Sequence, residues 1–171
     1  MEKTTHQLKT ISPAAIPRAM QKAERYRLLN QSWATESICL DILEVDPANQ
    51  QVLVMLLLSL TDQFDRGPRE RAQRAQGLLP RLTDEYQRHY YAGIIDERLG
   101  HAQLATGAMH AEAMAHQSLR SAMSHFKDAE TLRTPGNDDS ILRWNTCART
   151  LERLRLQEED SDVQYAPHFG E

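Results

Sequence analysis

Along most of the chain apolar residues recur three and four positions apart, the spacing that gathers side chains on one face of an α-helix. Ile16, Met20, Ala23 and Leu28, with Tyr26, form the first such stripe. Ser12-Pro13 and Pro17 suit a helix start, and Asn30 can adopt the left-handed conformation that ends one, so a helix is predicted over 14–29. A second, over 32–45, brings Trp33, Ile38, Ile42 and Val45 near one side. Asp46-Pro47-Ala48-Asn49 then stops and restarts the chain, because proline disfavours the α conformation in the residue before it. The segment that follows is apolar from Val52 to Leu60 except for Ser59. A helix apolar all round needs neighbours on more than one side, which places this one in the middle of a stack.

Gly67-Pro68 opens a fourth helix that runs to about Leu79, where Pro80 punctuates it 33 residues after Pro47. Thr83-Asp84 caps a fifth over 85–99, closed by Gly100. Residues 108–132 read as one long helix with Ala108, Ala111, Ala115, Leu119, Ala122, Phe126 and Ala129 in a single row, small enough for a neighbouring backbone to approach closely. The turn cluster Thr134 to Ser140 precedes a last helix over 141–157.

Composition fits this all-helical reading. Leu, Ala, Arg, Glu and Gln favour helix, and seven glycines and seven prolines are too few for the many turns of a strand-rich fold. A chain of 171 residues can bury a sizeable core, so the expectation is a flexible segment over 1–12, one helical domain over 13–157 and an acidic, disordered tail over 158–171. The Val52 to Leu60 run falls far short of the about 20 apolar residues that cross a membrane, and the first residues lack the apolar core of a secretory signal. No membrane partner is expected, and the location is read as cytoplasmic. Cys39 and Cys147 sit within helical patterns without a CxxC pair and read as buried, reduced packing residues.

A net charge of −4 argues against nucleic acid as a partner. The charge is uneven, with six Lys and Arg against two acidic residues over 1–30, and four against eight over 134–171. A solvated surface accounts for this, as would contact between basic head and acidic tail in a homo-oligomer or within one copy. Tyr165, Pro167, His168 and Phe169 resemble a short docking motif set in that acidic tail.

The repeated spacing resembles the tetratricopeptide repeat family, whose unit is a helix-turn-helix of about 34 residues. Ala19, Lys22, Ala23 and Tyr26 supply the small and aromatic positions of a first unit, and Pro47 its closing turn. Leu53, Leu57 and Leu60 stand at the equivalent positions of a second, Gly93 and Gly100 mark a third, and Trp144, Cys147, Ala148 and Leu151 a fourth. Thr35, Cys39 and Leu57 depart from the pattern, and about twenty extra residues lie between Gly100 and Pro135. The resemblance implies an α-α superhelix of three to four hairpins, with an irregular α-helical bundle as the alternative. It also implies a concave groove that holds a peptide or helical segment of another protein, faced by Glu24, Arg27, Leu58, Tyr90, Ile94, Arg98, Asn145 and Arg149. An assembly protein acting by self-association is the alternative function.

Catalytic chemistry finds little support in the residue pattern. In "HAEAMAH", Glu112 and His116 share a helix face, but His110 and His116 lie about 120° apart around the axis, so three ligands do not converge. His89, His101 and His125 read as helix-surface or interface residues. Ser124 to Lys127 matches S-x-x-K by letters without the accompanying motifs, and Asp138-Asp139 and Glu158-Glu159 fall in turn and tail. No catalytic residue, cofactor or metal is expected. A metal-dependent or hydrolytic enzyme on the histidine-rich fifth and sixth helices stands as the remaining possibility.

Overall fold

The computed structural model describes residues 6–164, with side chains placed through Arg155. Among them are seven α-helices and no strand: α1 (Ile16–Leu28), α2 (Ser32–Val45), α3 (Gln50–Thr61), α4 (Pro68–Leu78), α5 (Glu85–Thr106), α6 (Ala111–Leu132) and α7 (Asp139–Gln164). Short 3-10 turns at Pro13–Ala15, Phe64–Arg66 and Leu79–Arg81 join them. The segment expected as one domain falls into two compact units, residues 1–83 and 84–171, each with its own core. No helix among the described residues is long and apolar enough to cross a membrane.

In the first unit α1 packs on α2, α2 on α3 and α3 on α4. The all-apolar character of α3 follows from that position. Val52, Leu53, Leu56, Leu57 and Leu60 are all buried, each side chain removing apolar surface worth about 1.5–3 kcal/mol from water. Ser59 is buried as well, its hydroxyl donating to the Leu56 carbonyl at 2.8 Å. Asn49 caps the helix by accepting from the Val52 amide at 3.1 Å. Thr35, at a position where the repeat pattern has a small residue, buries its hydroxyl by donating to the Ala23 carbonyl across the α1–α2 contact at 2.9 Å.

Two expectations change in this unit. Trp33 does not join Ile38 and Ile42 on one side: at 100° per residue it stands roughly opposite them, and it is 63% exposed where Ile42 is buried. Asn30 does end α1 in the left-handed region, at φ 57°, but Leu28 and Leu29 remain exposed.

The second unit is a long hairpin of α5 and α6 with α7 laid against α6. Gly100 does not end α5. It lies buried in mid-helix, and a Cβ there would stand 3.0 Å from Leu119. Gly93 lies still closer, since its Cβ would stand 2.5 Å from the Phe126 ring. Seven residues forward on α5 therefore match seven residues back on α6, so the helices run antiparallel, and both glycines serve close approach. The actual stop is Gly107, at φ 58°. The predicted small-residue row of α6 is buried from Ala111 to Ala129. α7 continues to Gln164, beyond the expected end at 157; Tyr165, Pro167, His168 and Phe169 lie outside the described residues.

Candidate functional site

One concave surface of the first unit is a groove of about 420 Å³ bounded by α2 and α4. Leu56 and Leu60 of α3 contribute to its floor; Leu40 and Leu43 come from α2, and Leu78 from α4. Glu44, Arg74 and Arg81 supply charge at its rim. The floor residues belong to the core, but Leu40 is 47% exposed. Trp33, seven positions earlier on α2, continues the same apolar line outward.

Polar contacts hold the walls at both ends. Glu36 of α2 accepts from Arg74 of α4 at 2.5 Å and from Gln63, after α3, at 2.9 Å. At the opposite end Arg81 donates to the Pro47 carbonyl at 2.8 Å. Gln50 there accepts from the Thr83 amide at 2.9 Å and donates to the Arg81 carbonyl at 3.3 Å. The groove's width is thus set by bonds within the chain. A helical glycine, Gly77, also lines it, and a Cβ at that position would meet nothing within 4 Å. The space above Gly77 is open groove.

The residues expected from the repeat resemblance to face a groove fall in both units. Glu24, Arg27 and Leu58 belong to the first unit, whereas Tyr90, Ile94, Arg98, Asn145 and Arg149 belong to the second. Ile94 is 2% exposed and packs in the α5–α6 core, so it presents no side chain to a ligand. Arg27 donates to Asp62 at 2.8 Å, bracing α1 against the end of α3. Leu58 and Arg98 are half-buried, as is Asn145, while Glu24 and Arg149 are exposed. Tyr90 stacks on Tyr86 at 5.7 Å and meets Tyr91 edge-on at 5.2 Å and Phe126 at 5.9 Å. The three tyrosines border a polar cleft of about 350 Å³ that also includes Asn137 and Asp139.

A further groove, of about 640 Å³, runs between α6 and α7 with Met123, Leu151 and Leu154 along it. Glu112 and His116 do share that face, as their spacing predicts; His110 precedes α6 at φ 68°. Among the described residues, a group spaced like a metal-ligand set lies elsewhere, at His89, His125 and Asp128.

Buried ionisable groups are few among the described residues. Glu97 on α5 is the notable one, with a side chain 3% exposed and both oxygens 3.5 Å from Arg143 of α7. Burial pushes its carboxyl above the usual range, outweighing the opposing pull of Arg143, His101 and Arg98. The thiols of Cys39 and Cys147 are free and buried, and burial pushes both up to about 12. Neither is poised as a nucleophile.

In comparison with known proteins, no family model matches the chain, and no curated protein or solved structure matches it either.

Proposed function

We propose that this chain is a non-enzymatic interaction module that docks a helix or short apolar peptide of another protein in the groove between α2 and α4. The observation that carries this reading is Gly77, near the end of α4 with open space above it, beside the 47% exposed Leu40. Glycine in a helix costs roughly 0.5–1 kcal/mol relative to alanine, and close approach of a ligand backbone is one use that offsets it. Fixed walls leave most of the ordering on binding to the ligand. An occupant presenting apolar residues at i, i+3 or i+4 and i+7 would meet Leu40 and the edges of Leu43 and Leu78, with charges of either sign toward Glu44, Arg74 and Arg81. The tetratricopeptide likeness points to the same class of function. Two buried cysteines without a bridge suit the reducing cytoplasm.

Selection of a displayed random-peptide library on the full chain tests the proposal. Enriched peptides should carry that apolar spacing and lose at least about 10-fold in affinity for Gly77→Phe and Leu40→Glu, variants whose circular dichroism matches the parent. Peptides that bind both variants as tightly as the parent, or no enrichment at all, would refute it.

A further inference from the structure

The α5–α6 hairpin assembles a set of side chains that the sequence scatters. His89 lies on α5, His125 and Asp128 on α6, and one ligand atom from each falls within 4.8 Å of the others. The imidazole rings stand 6.5 Å apart, tilted by 40°, and His89 Nδ1 is 3.9 Å from Asp128 Oδ2. What brings them together is the glycine contact below them. Gly93, one turn from His89, lets the Phe126 ring sit against bare backbone, and His125 and Asp128 flank Phe126.

We propose that His89, His125 and Asp128 form a binding site for one divalent transition-metal ion of the zinc class. Two imidazole nitrogens and one carboxylate oxygen are the donor set that zinc, cobalt and nickel favour over magnesium or calcium. Ligands about 2.1 Å from a tetrahedral ion stand about 3.4 Å from one another, so donors within 4.8 Å need to close by up to about 1.4 Å. Half-exposed side chains on rigid helices can do this by rotation, without moving backbone.

Two observations beyond proximity support the assignment. His125 Nδ1 is buried with no hydrogen-bond partner, although a buried polar nitrogen normally has one. On the other side of the same ring, Nε2 lies 3.7 Å from Asp96 Oδ2, and Asp96 is itself held by the Ser121 hydroxyl at 2.6 Å. A carboxylate behind a histidine, anchored in turn by a hydroxyl, orients metal-binding imidazoles once the ring N–H donates to it, and at 3.7 Å a small ring rotation on metal binding makes that bond. Three protein donors leave a coordination position open for water or for a group from a partner. The site lies wholly in the second unit, and its fate is independent of the peptide groove.

Titration of the chelator-treated full chain with Zn²⁺ by calorimetry, and with Co²⁺ by visible absorption, tests this. The expected result is saturable one-to-one binding with the intense visible bands of four-coordinate cobalt. Affinity should fall at least about 10-fold in His89→Ala, in His125→Ala and in Asp128→Asn, and stay unchanged in His116→Ala. Circular dichroism of each variant in chelator should match the parent, which separates loss of the site from loss of the fold. Zn²⁺ should also raise the Tm of the parent and leave that of His89→Ala in place. Absence of saturable binding, or binding that survives in the His89→Ala/His125→Ala double variant, would overturn the assignment.

Discussion

At the scale of single residues, the glycines separate those the core requires from those it does not. A Cβ at Gly93 would enter the Phe126 ring at 2.5 Å from its nearest atom, and a buried ring wedged between helices has little room to yield. Gly93→Ala should therefore lower stability by about 1–3 kcal/mol, as overpacking does. Gly77→Ala, with open space above it, should raise stability by up to about 1 kcal/mol. Urea unfolding of the two variants checks both, and equal changes of one sign would contradict the packing described. Sequence spacing singled out Gly93 and Gly100, yet read Gly100 as a stop. A glycine flanked by helix formers is ambiguous until its neighbour is known, and here that neighbour is Leu119 on α6. Gly77 was legible as a glycine late in α4, but that it borders a groove depends on how α2 and α4 meet over α3.

Glu97 is an equally local case, with a sign that can be worked out. Its folded-state pKa lies above the unfolded value, so below the ordinary carboxylate range the acid is neutral in both states and costs nothing. As pH rises from the ordinary carboxylate pKa to the raised one, the unfolded chain ionises while the folded protein still holds its proton, and stability is lost until the folded carboxyl ionises too. Over that window the parent should lose up to about 1.4 kcal/mol per pH unit relative to Glu97→Gln. Arg143 is 41% exposed, so the substitution does not strand a buried charge. Chemical denaturation of parent and variant across that range measures the difference; a parent gaining stability relative to the variant would reverse the argument.

At the scale of elements, the helices were readable because each is announced by chemistry that acts within a few residues. Asn49 caps α3 and Asp84 caps α5, each accepting from a backbone amide three positions on. Removing the first cap by Asn49→Ala should cost about 1 kcal/mol and also release Asp46, to which Asn49 donates at 2.9 Å. Thermal unfolding followed by circular dichroism checks that figure. The burial of α3 on several sides followed from its composition alone, since nothing else accommodates Leu53, Leu57 and Leu60 together. Where the reading failed, the cause is tertiary. Trp33 is apolar and helical, and composition places it inside; only its angle around α2 shows that it faces out. Leu40 shares that direction, so the heptad step from Trp33 to Leu40 was the available signal for the groove. The pairing of His89 with His125 had no local signal, because 36 residues and a reversal of chain direction separate them.

For the whole molecule, the decisive fact is the presence of two cores where repeat spacing suggested one continuous stack. Each core contains one buried thiol, Cys39 in the first unit and Cys147 in the second. Burial suppresses ionisation of both, and a thiolate is the species that alkylates, so each cysteine reacts when its own unit opens. A pulse of iodoacetamide at increasing urea, read by mass spectrometry, therefore gives a separate unfolding curve for each half of the chain. Leu57→Ala removes a fully buried side chain from the first core and should destabilise it by about 2–5 kcal/mol. The labelling midpoint of Cys39 should move to lower urea by the corresponding amount, with that of Cys147 held in place. Were the two midpoints to shift together, the halves would unfold as one cooperative body, and the description of residues 1–83 and 84–171 as separate units would fail in energetic terms.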